Sequence, residues 1–129
     1  MATIKKFEEI VAWQAARRLA AVVYGLCKKG PLAKDPGMRN QIQRAAVSVG
    51  SNIAEGFERS GNKEFSQFLW VAKGSSGEVA SQLYTILDAG YITEEEFSAA
   101  YNSARKCSYL IYQLLQAIKK SPVRGERYK

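Results

Sequence analysis

The sequence predicts an all-α fold, an antiparallel up-down-up-down four-helix bundle, over residues 1–120. Three observations carry that expectation. Apolar residues recur at three- and four-residue steps through four long segments, the spacing of helices with one face on a core. No stretch reads as a convincing strand. Glycine, proline and capping residues separate the segments by short links, and short links between long helices of similar length make neighbours antiparallel.

Segment one runs from about Glu8 to Lys28. Its stripe is Ile10, Trp13, Ala16, Ala20, Val23 and Cys27, widened by Val11, Leu19, Val22 and Leu26. Gly30-Pro31 stops it. Asp35-Pro36 is an N-cap followed by proline at the first helical position, and it opens segment two, which reaches about Glu58. Ser60-Gly61-Asn62 breaks the pattern. Segment three, from about Lys63 to Ala89, carries Phe65, Phe68, Leu69, Ala72, Ser76, Val79, Leu83, Ile86 and Leu87 on one side. Gly90 ends it as a left-handed cap. Thr93-Glu94-Glu95-Glu96 is a capping box, with Thr93 at the cap and Glu96 three residues on. It opens segment four, which runs to about Lys120 on Phe97, Ala100, Tyr101, Ala104, Cys107, Ser108, Ile111, Leu114, Leu115 and Ile118. Lys119 and Lys120 lie in its last turn, where cations favour the helix dipole. Ser121-Pro122 releases a basic C-terminal tail, residues 121–129, expected to be flexible because it is too short and polar to pack alone. At 1.5 Å per residue the segments are roughly 30 to 40 Å long.

Segment two carries two stripes. Ile42, Ala45, Val49, Ile53 and Phe57 form an apolar line, which wants a core. Gln41, Arg44, Ser48, Ser51 and Glu55 form a polar line at the same steps. Mixed donors and acceptors on mostly uncharged or compact groups suit a surface that meets another helix or another subunit. Segment three has a matching second face of Gln67, Gly74, Glu78, Ser81 and Thr85. Its interior run Gly74-Ser75-Ser76-Gly77 contains two glycines, which cost a helix roughly 1 kcal/mol each relative to alanine but let another backbone approach. Buried polar side chains need partners. Arg44, Asn52, Glu55, Gln67, Glu78 and Gln82 are therefore expected to find one another within the chain or across an interface, with Arg44 in a structural ion pair near Glu55 and Glu78.

The chain is 47% hydrophobic and 24% charged, an ordinary globular balance. No apolar run approaches the roughly 18 to 20 residues of a membrane span. The first seven residues hold no signal-peptide core, so the expectation is a cytoplasmic protein with no membrane partner. Cys27 and Cys107 fit buried free thiols. The net charge is +7 and uneven: residues 1–34 carry +5, residues 35–118 carry −2 and residues 119–129 carry +4. In the bundle one end would hold an excess of +3 and the other −1. Basic segments attract polyanions through counterion release. The candidates for nucleic-acid contact are Lys5, Lys6, Arg17, Arg18, Lys119, Lys120, Arg124, Arg127 and Lys129, with Tyr128 as a stacking residue.

The string Arg44-Ala45-Ala46-Val47-Ser48-Val49-Gly50-Ser51-Asn52-Ile53-Ala54-Glu55-Gly56 is long and specific. Together with Trp13-Gln14, Gln41 to Gln43, Glu64-Phe65, Phe68-Leu69, Ala72 to Ser75 and Glu78 to Leu83, it resembles the four-helix-bundle proteins encoded in 23S ribosomal RNA intervening sequences. The resemblance covers about Phe7 to Leu115. It implies an antiparallel four-helix bundle assembled into a homopentamer. It also implies similarity to the accessory proteins of diversity-generating retroelements, which share the pentameric barrel and are thought to engage nucleic acid and a reverse transcriptase. It implies no catalytic activity. Gly50 stands where the pattern usually has proline, and glycine permits a bend in segment two without imposing one. In a fivefold ring the tail's excess of +4 would become about +20 around one rim.

Catalytic chemistry finds little to build on. There is no histidine, which removes the usual triads, most zinc sites and imidazole acid–base work. Gly74-Ser75-Ser76-Gly77 lacks the strand and the Lys-Ser/Thr of a phosphate loop. Glu55 and Glu58 could hold magnesium, but a di-metal bundle needs a matching acidic pair from a facing helix, and Glu78 has no acid three or four residues away. The expectation is a non-enzymatic protein without cofactor that binds itself and RNA or DNA. The alternative is a scaffold that recruits a polymerase such as a reverse transcriptase without touching nucleic acid. A metal-dependent hydrolase is the third reading.

Overall fold

The computed structural model describes residues 3–120. They form a 3-10 turn, Phe7–Glu9, and five helices: α1 Val11–Leu26, α2 Gly30–Ala33, α3 Pro36–Glu58, α4 Asn62–Asp88 and α5 Glu94–Lys120. Four helices are long, and the described residues contain no strand.

The helix ends follow the local chemistry. Asp35 accepts the Met38 backbone N–H at 3.1 Å, so α3 begins at Pro36 with a side-chain cap. At the start of α5 the Glu96 N–H donates to Thr93 Oγ1 at 3.0 Å and the Thr93 N–H donates to Glu96 Oε1 at 2.9 Å, both bonds of a capping box. Gly90 takes φ 78° after α4 and lets the Tyr91 N–H reach back to the Ile86 carbonyl at 2.9 Å.

Segment one is shorter than its apolar pattern. Ile10 is extended, at φ −75° and ψ 119°, and separates the 3-10 turn from α1. The link after it is not a plain stop. Gly30, at φ 64°, leads into the single turn of α2, with Pro31 in that first turn. Val11 and Val22, read as part of the apolar stripe, are 57% and 36% exposed. They flank the true stripe of Ala12, Ala15, Ala16, Leu19, Val23 and Leu26. α3 runs unbroken through Gly50, whose open side faces the Trp13 indole and the Ala16 methyl.

α1 packs on α3 and α5, and α4 packs on the same two helices. Ser48 of α3 meets Ser75 of α4, while Gly56 meets Phe65 and Phe68. Ser76 of α4 meets Ser108 of α5, while Tyr84 meets Phe97 and Tyr101. Lys29 pairs with Glu96, and Tyr91 donates to Asp35 at 2.8 Å, tying the α2 link to the α4–α5 turn. The apolar line of α3 is buried at every position: Ile42, Ala45, Val49, Ile53 and Phe57. It joins Leu19, Phe65, Leu69, Leu83, Ile86, Ile111 and Leu115 in one core. Each such large side chain contributes about 1.5–3 kcal/mol by leaving water.

Candidate interaction surface

Two surfaces stand out, one polar and one basic. The polar one lies between α3 and α4. Asn52 Nδ2 donates to the Ser48 carbonyl at 2.8 Å and to Ser48 Oγ at 2.9 Å. Ser48 and Ser75 hydroxyls are 3.0 Å apart. A hydroxyl accepts at two lone pairs, so with Asn52 donating to it Ser48 can still either donate to Ser75 or accept from it. This small network is what the polar stripe contributes inside the chain.

The rest of the stripe faces outward. Gln41, Arg44, Ser51 and Glu55 are exposed on α3, as are Gln67, Gly74, Glu78, Ser81 and Thr85 on α4. Gly37, Asn40, Gln41, Arg44, Ala45, Ser48 and Glu78 line an open groove of about 820 Å³. Gln82 is buried beside it and donates weakly to Glu78 at 3.4 Å, while its Oε1 has no partner among the described residues.

The Arg44 ion pair is not formed: Arg44 makes no salt bridge with a described residue. Glu55 pairs instead with Arg59 at 2.7 Å, and Arg59 also reaches Glu64 at 3.2 Å. Distance along the helix explains the choice. Eleven residues separate Arg44 from Glu55, roughly 16 Å of axial rise, whereas Arg59 is the i+4 neighbour that helical geometry brings alongside. The expected meeting of Arg44, Glu55 and Glu78 inside the chain therefore does not occur.

The basic surface involves α1, α5 and the N-terminal segment. Lys5 and Lys6 precede the 3-10 turn, Arg17 and Arg18 sit midway along α1, and Lys119 and Lys120 end α5. All six are exposed, and none forms a salt bridge with a described residue. The Arg17 guanidinium lies 6.0 Å from the Trp13 ring centre. Arg124, Arg127, Tyr128 and Lys129 lie outside the described residues.

Cys107 is buried on α5, which packs against α1. Burial pushes its thiol up to about 11, against the opposing pull of Arg18 from α1 and Lys106 from α5. Arg18 and Lys106 are exposed on α1 and α5, two helices that pack together. Lys106, its neighbour Arg105 and the exposed Tyr109 and Tyr112 were absent from the sequence-derived candidates. The signal was readable: no Asp or Glu occurs from Val11 to Leu26 or from Phe97 to Lys120.

Both cysteines are buried free thiols, and burial also raises the Cys27 thiol. Among the described residues no three acidic or thiol side chains converge to hold a metal ion. No helix of the described residues is long and apolar enough to cross a membrane. Asp35 is held below the ordinary carboxylate range by the Met38 N–H and then the Tyr91 hydroxyl, and Glu96 by Lys29 and then Thr93. These shifts arise at helix caps and cross-links.

A family model described as 23S rRNA-intervening sequence protein matches residues 8–113. A search of curated proteins finds no match. Among solved structures, the chain is similar to a protein of unknown function from the S23 ribosomal protein family of Bacteroides thetaiotaomicron. The two are 23% identical, with a TM-score of 0.75 over 82% of this chain and 99% of that one. That likeness bears on the fold.

Proposed function

Because the chain belongs to the 23S rRNA-intervening sequence protein family, we propose that it is a non-enzymatic, homo-oligomeric helical protein that binds RNA or DNA through exposed basic surface. The four long helices form an antiparallel up-down-up-down bundle. The order of contacts supports this: Ser48 pairs with Ser75 and the later Gly56 with the earlier Phe65 and Phe68, and Ser76 pairs with Ser108 whereas the later Tyr84 pairs with the earlier Phe97 and Tyr101. The oligomer is a pentamer, the assembly the family resemblance implies, formed through the outward polar stripes of α3 and α4.

The observation that carries the binding reading is the state of the cations. Lys5, Lys6, Arg17, Arg18, Lys119 and Lys120 are exposed without a carboxylate among the described residues, while Arg59 and Lys29 are tied to Glu55, Glu64 and Glu96. Unneutralised cations release counterions from a polyanion on contact. Repetition of the same surface around a ring multiplies the effect.

Light scattering with and without added RNA, followed by a salt titration of binding, tests both parts. The expected result is a mass several times that of one chain and an affinity that falls with salt, with a log–log slope near 0.9 per phosphate neutralised on duplex DNA. A monomer that ignores RNA refutes the proposal. An oligomer that captures a polymerase but shows no salt-dependent RNA affinity favours the scaffold reading.

A further inference from the structure

We infer that the outer face of α5 is a platform for single-stranded RNA, with its bases stacked on tyrosine and its phosphates held by Arg105 and Lys106. This rests on the nucleic-acid reading above and adds to it a site and a class of ligand.

Helical spacing places Asn102, Arg105, Lys106, Tyr109, Tyr112 and Gln113 on one side of α5, and all six are exposed. Tyr109 is 60% exposed and Tyr112 46%. The Gln113 amide donates to the Tyr109 hydroxyl at 2.9 Å. That bond holds the tip of the ring and leaves its face free for stacking. Arg105 and Lys106 lie one turn before Tyr109, so a backbone phosphate and its base meet cation and ring together. Arg18 is exposed on α1, which packs against α5.

Charge complementarity sets the occupant. From Phe97 to Lys120 the helix carries four cations and no carboxylate, and the facing α1 carries two cations and none. An acidic protein would match the charge, and its capture in place of RNA would overturn the platform; rings one turn from cations also match the base-and-phosphate repeat of a nucleic-acid strand. A duplex hides its bases from those rings. Single strands use both features, since stacking tolerates any base and the cationic track follows the backbone. The Gln113 amide, in contact with the Tyr109 hydroxyl, suits the ribose 2′-hydroxyl, which both donates and accepts. The run from Arg105 to Lys120 spans roughly 22 Å, enough for several nucleotides.

The test measures binding of the full chain to a short fluorescent oligouridine, to the matching oligodeoxyuridine and to a duplex, across a salt series. Tyr109→Leu is expected to weaken oligouridine binding about tenfold with the salt slope unchanged, the size of one lost stack. Arg105→Gln with Lys106→Gln is expected to lower the slope by about 1.4, two phosphates at roughly 0.7 each for a single strand. The residues are exposed, so helicity and melting temperature serve as folding controls. RNA binding that ignores both α5 variants overturns the platform and leaves the broader reading intact. No binding by the unaltered protein overturns both. Equal affinity for the deoxy strand overturns the assignment to RNA. A variant that changes the mass of the assembly makes this face a subunit contact, and that also overturns the platform.

Discussion

Replacing Ser76 with alanine tests how α4 and α5 are held in register. Ser76 Oγ lies 2.7 Å from the Ala104 carbonyl and 2.6 Å from Ser108 Oγ, and the two serines are 0% and 6% exposed. Ser76 donates its proton to the carbonyl, so Ser108 must donate to Ser76. Ser76→Ala removes both bonds and leaves the Ser108 hydroxyl without its acceptor. A net hydrogen bond is worth about 1 kcal/mol and an orphaned buried hydroxyl costs about 1–3 kcal/mol. Ser108 can recover part of this by turning to the Ala104 carbonyl four residues back on its own helix. The expected loss is therefore about 1–2 kcal/mol. Ser108→Ala removes one bond and leaves Ser76 still donating, for a loss of about 0.5–1 kcal/mol. The double variant strands no hydroxyl, so its loss should fall below the sum of the singles by about 1 kcal/mol. Urea unfolding of all four proteins, at one protein concentration and with a common m-value, gives the cycle. Losses that add within about 0.3 kcal/mol would refute the shared network.

Gly56→Ala should destabilise by about 1–2 kcal/mol in urea unfolding, because its Cβ would lie 2.5 Å from Phe68 Cβ and overpacking outweighs the gain in helix propensity. Gly77→Ala, with nothing within 4 Å of the new methyl, should stabilise by about 0.5–1 kcal/mol in the same assay. The Asp35–Tyr91 bond should have a pH window. The depressed Asp35 carboxyl contributes stability above its unfolded value, near pH 4, and loses it as pH falls through its lower folded value. The raised Tyr91 hydroxyl contributes below about pH 10 and loses its contribution as pH climbs through its higher folded value. Amide exchange around Tyr91 should quicken at both limits; Tyr91→Phe should remove the alkaline limb and leave most of the acid one, because the Met38 N–H is the larger cause of the Asp35 shift. Arg44→Glu should lower the mass of the assembly by light scattering, and adding Glu78→Arg should restore it. An unchanged mass would remove the α3–α4 stripe as the contact.

The long helices were legible because each carries two kinds of signal. α3 shows it best: Asp35-Pro36 marks its start chemically, its apolar line from Ile42 to Phe57 repeats for about four turns, and its bounds fall at Pro36 and Glu58 as the pattern indicates. The single turn of α2 was hidden because four residues are too few to show a period. Val11 and Val22 were misplaced because an apolar residue at the edge of a stripe reads the same whether or not a neighbour covers it. Arg44 was mispaired for a related reason: a shared face says nothing about axial distance, and Glu55 had a nearer cation in Arg59. The charge pattern was read along the bundle axis, while the structure also divides it sideways. That division depends on which helices touch, and segment order alone does not supply it.

The sideways division bears on how two kinds of contact can coexist. Around the molecule the helices touch in the order α1, α3, α4, α5 and back to α1, so the α3–α4 face lies opposite the α1–α5 face. The first presents small uncharged groups together with Arg44 and Glu78, which face a shared groove and form no salt bridge among the described residues. The second presents cations and tyrosines with no carboxylate along α1 and the length of α5 from Phe97. A closed ring with an odd number of subunits requires two different patches from each copy. Arg44 on α3 and Glu78 on α4 supply unlike groups on adjacent helices, so one copy can offer the cation and the next the anion. A contact made there leaves α5 facing away from it, and the charge repulsion of several acid-free surfaces brought together would fall when a polyanion covers them. Assembly and nucleic-acid binding should then reinforce each other, with RNA raising the mass of the assembly most at low salt and least where the Debye length is short.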